Sequence, residues 1–374
     1  MGIEIDKDMK IKVGIIGCGN ISDAYLSRCV TMEIIEVAAC ADIDMDRARE
    51  KAKKYNLRRA CTAEQLLADK QIRIVLNLTP PKAHADISAA ILNAGKNLYS
   101  EKPLATDRVQ AEKLLKIAKQ KQLLIGCAPD TFMGAGLQTA RKVIDEGTIG
   151  TPLAVSAFML SAGPEKWHPD PEFFFQYGAG PMFDMGPYYL TAMINLLGPV
   201  KSVTASTAIT RQYRTILSRP FQGRKIKVEV PTHVAAILNF HCGVIATLVT
   251  SFDVIAHTMP NLEIYGTKGS LLVANPNSFA GPVKILLEDQ TQWNEVLITH
   301  AYDKPSRGLG PADMAYALLF GRAHRASAEI AFHVLDIMQT IHEAAQGEKI
   351  IYVKSSCQRP APLPPNLPDG LLDM

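Results

Sequence analysis

The chain has 374 residues, 47% of them hydrophobic and 21% charged, with a formal net charge of +3. These values exclude a disordered or fibrous chain and leave room for two domains around a large core. So small a positive excess gives no reason to expect nucleic acid or a membrane surface as a partner.

Residues 1–6 mix acids into the start of the chain, where a secretory leader needs a basic then apolar stretch, and no apolar run is long enough to span a bilayer. The seven cysteines, at 18, 29, 40, 61, 127, 242 and 357, are odd in number and lie far apart with no CxxC pair. Reduced thiols in a cytoplasmic protein are the expectation, with no metal site.

The first apolar run, 12–16, ends in Gly17-Cys18-Gly19, and a helical pattern follows at once. That reads as a strand, a tight turn and a helix N-terminus. Gly17 can take the turn's backbone angles, and Gly19 lets a diphosphate approach the main chain. The free N–H groups at Asn20 and Ile21, with the helix dipole, would hold the phosphates. Ser22 stands where the usual fingerprint has its third glycine, and it is small enough for close helix–strand packing. The next apolar run, 34–41, ends at Asp42, 23 residues after Gly19. At that spacing a carboxylate meets the adenosine ribose hydroxyls and repels a 2′-phosphate. No Arg follows in Ile43-Asp44, so NAD is favoured over NADP.

Helices are predicted at 45–55 and 63–68. A strand over 72–79 is apolar enough to be buried on both faces, and Thr79-Pro80-Pro81 stops it. A helix over 82–93, a strand over 97–100, a helix over 107–121 and a strand over 123–128 complete the alternation. Such alternation defines a doubly wound parallel sheet, with its ligand crevice at the carboxyl ends of the strands. Thr79, Pro80, Glu101, Lys102, Pro103 and Pro129 fall at such ends.

Beyond Pro129 the pattern changes. A helix over 136–146 precedes strands at 153–160, 200–208, 233–240, 244–252, 262–265, 270–273, 283–287 and 295–299. Turn signals at 240–244 and 266–269 read as hairpins, so this half is α+β with an open, mainly antiparallel sheet. Helices return at 312–319 and 328–345, and a proline-rich tail ends the chain. Three units are expected: a Rossmann domain over 1–129, an α+β substrate and oligomerisation domain over 130–354, and an extended arm over 355–374. Trp167 and His168 open an aromatic stretch that either stacks on a sugar ring and bonds its hydroxyls or packs on itself as a lid. The basic run from Arg211 to Lys227 reads as a solvated loop or subunit contact, with an anion-holding role for Arg as the sharper alternative.

Four stretches together carry a resemblance: Gly14–Ile21, Thr79-Pro80-Pro81 with His84, Ala94-Gly95-Lys96 leading to Glu101-Lys102-Pro103, and Gly178–Gly186. The chain resembles the glucose–fructose oxidoreductase / inositol dehydrogenase family, Gfo/Idh/MocA, across nearly its whole length. The resemblance implies NAD(P)-dependent oxidation of a secondary alcohol of a sugar, polyol or inositol-like compound, or the reverse reduction, by a homodimer or homotetramer. It places the family's catalytic lysine at Lys102, with Glu101 positioned near the nicotinamide ribose and His84 either touching the cofactor or capping its helix. A lysine desolvated beside a cationic nicotinamide would have its pKa lowered toward neutrality, as a general base requires.

The family's Asp-x-Gly-x-His-x-x-Asp run reads here Asp184-Met185-Gly186-Pro187-Tyr188-Tyr189-Leu190-Thr191. Tyr188 replaces the histidine and Thr191 the last aspartate. Asp184 could bind a sugar hydroxyl or hold Lys102, and Tyr188 could pass the proton or only orient the substrate. Asp130 and Thr131, directly after the last Rossmann strand, are placed as substrate contacts. Two other readings stay open: a glycosidase-like enzyme that oxidises its substrate transiently, and a non-catalytic dinucleotide-binding regulator.

Overall fold

The computed structural model describes residues 10–373; residues 1–6, read above for a leader, lie outside them. The first half alternates strand and helix: β1 (Ile11–Ile16), α1 (Asn20–Cys29), β2 (Ile35–Ala41), α2 (Met45–Lys54), β3 (Arg59–Cys61), α3 (Ala63–Ala68), β4 (Ile72–Asn77), α4 (Pro81–Asn93), β5 (Asn97–Ser100), α5 (Arg108–Lys121) and β6 (Ile125–Cys127). The six strands form one sheet in the order β3-β2-β1-β4-β5-β6 with parallel pairings throughout. Val13, Ile15, Ile74, Val75, Leu76 and Leu98 at its centre are fully buried, as near-continuous apolar strands covered on both faces require. The short edge strand β3 escapes sequence reading because Arg59-Ala60-Cys61 offers neither alternation nor an apolar run.

The second half begins with α6 (Ala135–Asp145), β7 (Pro152–Leu160) and α7 (Gly180–Leu197), then β8 (Val200–Ala208), β9 (Tyr213–Thr215), β10 (Lys225–Lys227), β11 (His233–Phe240), β12 (Ile245–Ser251), β13 (Leu262–Gly266), β14 (Gly269–Val273), β15 (Lys284–Leu287) and β16 (Asn294–Glu295). Helices α8 (Leu309–Phe320) and α9 (Ala328–Gly347) and strand β17 (Ile351–Tyr352) follow. Nine strands make a mixed sheet, ordered β16-β15-β14-β13-β7-β12-β11-β8-β17. Only β12 and β7 pair in parallel; the other pairings are antiparallel. Along β11 and β12 every second side chain is buried, whereas Ile237 and Ile245 on the opposite face are exposed. The strand expected over 295–299 is reduced to β16, and β9 and β10 form a small separate ribbon inside the basic run.

The two sheets are tied by the chain's later segments. Cys127 N donates to Ala326 O at 3.1 Å, so the approach to α9 lies against the end of β6. The proline-rich tail, expected as an arm, runs along the body of its own chain. Leu363, Leu367 and Leu372 are buried in the main core, and Asp373 pairs with Arg322. Glu33 N donates to Gly370 O, and Tyr302 donates its hydroxyl to Leu371 O, so the tail touches elements of both halves.

Candidate active site

Gly17 has φ +102°, and a Cβ there would stand 2.7 Å from the carbonyl carbon of Leu78. Only glycine fits, because both the backbone angle and the close approach of the β4 end forbid a side chain. A Cβ at Gly19, by contrast, would meet nothing within 4 Å. Gly19 is also the N-cap of α1 and brings no side chain to its open N–H groups at Asn20 and Ile21. Open space in front of a bare helix N-terminus suits a diphosphate. Ser22 is fully buried, and its hydroxyl donates back to Gly19 O at 2.6 Å, so the missing third glycine does not loosen the turn.

Asp42 lies at the end of β2, facing this loop. Its Oδ2 accepts from Cys18 N at 2.7 Å and its Oδ1 from Asp44 N at 2.9 Å. Both oxygens keep a lone pair for a diol while the carboxylate stays fixed. The loop and Asp42 together fit an adenosine diphosphate moiety.

The turn after β4 is organised by Asn77. Its Oδ1 accepts from Thr79 N and from the Thr79 hydroxyl at 2.6 Å, while its Nδ2 donates to His84 O and Ser88 Oγ. Pro80 stays exposed at the start of α4. His84 is 2% exposed and turns its ring nitrogens to the carbonyls of Thr79 and Pro103. Burial pushes its pKa down. It joins two crevice loops from beneath and does not face the crevice.

Glu101, at the end of β5, is also buried. Its Oε1 accepts from the Tyr25 hydroxyl at 2.7 Å and its Oε2 from Lys102 N at 2.9 Å. Lys102 Nζ crosses to α7, donating to Asp184 O at 2.6 Å and Asp184 Oδ1 at 2.8 Å. The sequence of α7 prepares this contact. Pro187 has no N–H for the Phe183 carbonyl and crowds that turn of the helix, and the neighbouring Asp184 O takes a hydrogen bond from the lysine. Lys102 Nζ also lies 5.3 Å from the centre of the Tyr188 ring.

The protein's own groups set the charge of Lys102. Burial alone would lower the Lys102 pKa, but the Asp184 carboxylate, then Tyr188 and Glu101, raise it above the ordinary lysine value. Lys102 is therefore an ammonium at neutral pH in this state, not a free base. Burial pushes the Tyr188 phenol up as well, against the pull of Lys102 and Arg307. Lys102 and Tyr188 are thus both favoured in their protonated forms.

Other expected contacts lie elsewhere. Asp130 is fully buried, and its Oδ2 accepts from Gly308 N at 2.8 Å and Gly310 N at 3.1 Å. It fastens the loop before α8 and is not open to a substrate. Thr131, 1% exposed, begins a short 3-10 turn and is equally closed off. Trp167 is 67% exposed, and His168 packs among Trp167, Phe173 and Phe174. Phe174 and Phe175 belong to a small satellite core with Ile216, Ile226, Val228 and Phe252. Among the described residues no hydrogen bond or ring contact joins this cluster to Lys102, Asp184 or Tyr188; its rings pack on one another, with Trp167 open on its outer side.

Arg214, in the basic run, is buried and bonded to Glu165 and Asp253, which leaves it no anion to hold. Tyr189 packs against the sheet and donates to Phe158 O. Sequence reasoning missed Tyr25 and Arg307. Arg307 lies in a loop with no motif, yet its guanidinium carbon stands 5.4 Å from the Tyr188 ring centre.

A six-stranded parallel sheet with a glycine turn and an acid at the next strand end defines a dinucleotide-binding domain, here joined to a second domain that supplies the opposite wall of the crevice. Residues 11–128 match the oxidoreductase family with an NAD-binding Rossmann fold, and residues 137–272 match the GFO/IDH/MocA C-terminal domain. The chain belongs to the Gfo/Idh/MocA family.

An uncharacterized oxidoreductase of Schizosaccharomyces pombe is 26% identical over 252 residues, which is 62% of this chain and 66% of that protein. Inositol 2-dehydrogenase of Salmonella paratyphi B is 32% identical over 152 residues, 39% of this chain and 45% of the enzyme. The chain thus spans between about half and two thirds of these relatives' length. A levoglucosan dehydrogenase structure in complex with NADH and L-sorbose superimposes with a TM-score of 0.79 at 22% identity, covering 93% of this chain and all of that one. No helix among the described residues is long and apolar enough to cross a membrane.

Proposed function

We propose that the protein is an NAD-dependent dehydrogenase acting on a secondary alcohol of a sugar, polyol or inositol-like compound, or running the reverse reduction. The observation that carries the reading is the Lys102–Asp184 pair beside the Tyr188 ring, directly after the end of β5 and across from the glycine loop. A relative named inositol 2-dehydrogenase supports the polyol class.

Gly17, Gly19, Asn20 and Ile21 would bind the diphosphate, Asp42 the adenosine ribose, and Thr79, Pro80 and Glu101 would line the nicotinamide end. Bound NAD supplies the hydride acceptor. Lys102 and Tyr188 bond the reacting oxygen and move its proton, and Asp184 holds Lys102 in place. With both groups protonated at rest, the site gives a proton to a carbonyl oxygen directly. Alcohol oxidation returns that proton through the same groups and is favoured as pH rises. Asp42 disfavours a 2′-phosphate, which supports NAD over NADP. The exposed Ile237 and Ile245 on the bare face of the nine-stranded sheet support a homo-oligomer.

The test is formation of NADH or NADPH on a panel of inositols, aldoses, glycosides and sugar acids, each run with NAD and with NADP. NADH accumulating with one class is the expected result. Tight NAD binding without turnover on any of them would sink the proposal and favour a regulator. Glycoside cleavage without net NADH would favour the transient-oxidation reading.

A further inference from the structure

Two cations stand over the Tyr188 ring. Lys102 Nζ lies 5.3 Å from its centre and the Arg307 guanidinium carbon 5.4 Å, both in cation–π range. They are held differently. Lys102 is ion-paired with Asp184, one turn before Tyr188 on the same helix, so part of its field at the phenol is cancelled. Arg307 comes from the loop before α8, and its Nη2 donates to Asn277 Oδ1, a neutral acceptor, at 3.0 Å. Burial works against the Arg307 charge, and Tyr188, then Glu101, Tyr25 and Asp130, favour it. Such a coupling is reciprocal: a Tyr188 phenolate that favours the guanidinium is favoured by it to the same extent.

The loop that carries Arg307 is held firmly. Asp130, fully buried, accepts from Gly308 N and Gly310 N. Gly308 takes φ +124°, and a Cβ on Gly310 would collide with the Tyr99 hydroxyl, so the loop can lie there only with these glycines. The residue just before this clamp is thereby fixed against Tyr188. The charged groups that face the phenol are Lys102 and Glu101 from the end of β5, Asp184 from its own helix, and Arg307. Burial pushes the phenol up, Lys102 and then Arg307 pull it down, and Glu101 and Asp184 oppose them. A free phenol, with a pKa near 10, carries little phenolate at neutral pH, and each unit by which a cation lowers it raises that fraction about tenfold. We infer that Arg307 is a positioning residue for proton transfer that acts through Tyr188: its guanidinium holds the ring and stabilises the phenolate that accepts the proton of the substrate hydroxyl. That proton moves to the phenolate oxygen while the carbinol hydride passes to bound NAD, and the phenol returns it in the reverse reduction. The inference rests on the dehydrogenase reading above and deepens it.

The test is a pH profile of alcohol oxidation on the best substrate of the panel, for wild type, Arg307→Met, Arg307→Lys, Tyr188→Phe and the double variant Arg307→Met/Tyr188→Phe. In Arg307→Met the rising limb of kcat/KM should move up by about one pH unit, with a loss of ~10-fold at mildly alkaline pH. Arg307→Lys keeps a cation and should recover much of that loss. In the Tyr188→Phe background the same Arg307→Met change should cost less than about twofold, because the guanidinium acts through the phenol. Ultraviolet titration of tyrosinate, as the difference between wild type and Tyr188→Phe, reads the same ionisation without turnover and should shift up alike in Arg307→Met. NADH affinity should stay within about twofold in both Arg307 variants. An unmoved limb in Arg307→Met, an equal loss with and without the phenol, or NADH binding weakened by ~10-fold or more overturns the inference and leaves the dehydrogenase reading standing. A shifted Tyr188 ionisation in a protein that oxidises none of the panel overturns the dehydrogenase reading, while the coupling of the two side chains stands.

Discussion

The Lys102 ammonium joins the two walls of the crevice, donating at once to the main-chain and side-chain oxygens of Asp184. Lys102 follows a strand of the parallel sheet, and Asp184 lies in the first turns of α7. The pair therefore sets the distance between the wall that takes the dinucleotide and the wall that faces the substrate. It also keeps the lysine charged, because burial alone would favour the amine and Asp184 reverses that.

The pH dependence follows with a definite sign. A lysine pKa raised in the folded state means that the ammonium persists to high pH and the amine appears only above the ordinary lysine range. The kcat/KM for alcohol oxidation should rise steadily from neutral pH into the alkaline range, and that for carbonyl reduction should stay level there and fall only where the amine appears. In Asp184→Asn the rising limb should move to lower pH, since burial then acts on Lys102 with less opposition. An oxidation profile that levels off below neutral pH, or an unmoved limb in the variant, would contradict this.

Tyr188→Phe removes the phenol but keeps the ring. Its kcat should fall by roughly 10²–10⁴-fold, the range for losing a positioned acid–base group. Equilibrium binding of NADH, followed by fluorescence, should stay close to wild type. A small effect on kcat would reduce Tyr188 to a packing residue.

The two turn glycines should respond differently to the same methyl. Gly17→Ala forces a side chain onto a positive-φ position and into the Leu78 backbone, so stability should fall by about 1–3 kcal/mol. Gly19→Ala meets no protein atom, so the melting temperature should hold while NAD affinity drops. Thermal unfolding and NAD titration of both variants separate the two effects. Equal melting temperatures would contradict the account of Gly17.

Asp42→Ala should weaken NAD binding by ~10-fold or more and narrow the gap between NAD and NADP. Cys18 N and Asp44 N each take a different oxygen of the carboxylate, so Asp42→Asn keeps an acceptor for only one of them and should weaken NAD binding as well as losing the repulsion toward a 2′-phosphate. Dissociation constants for both dinucleotides check this, and an unchanged preference would refute the ribose role.

Much of the fold was legible because its cause is local. Alternation between apolar runs and helical periods defines a parallel sheet, and Gly17, Gly19 and Asp42 carry their chemistry in spacing alone. Other features depend on contacts between distant segments. Asp130 looked like a crevice residue by its place after β6, but the loop before α8, nearly two hundred residues on, closes over it. His84 and Arg214 are spent on partners that no local pattern announces. Arg307 has no motif and reaches Tyr188 only because Asp130 anchors its neighbours. The charge on Lys102 depends in the same way on a distant partner: desolvation is visible in an apolar sequence, whereas the Asp184 carboxylate 82 positions away is not.

The measurement that bears most directly on the central claim compares Lys102→Ala with wild type in two readouts, NADH formation on the best substrate of the panel and equilibrium NAD affinity. Turnover should fall by at least ~10³-fold while NAD affinity changes by no more than about twofold, because Lys102 acts on the reacting oxygen and its proton. Turnover within tenfold of wild type would contradict the assignment of Lys102 and Tyr188 as the groups that move the proton.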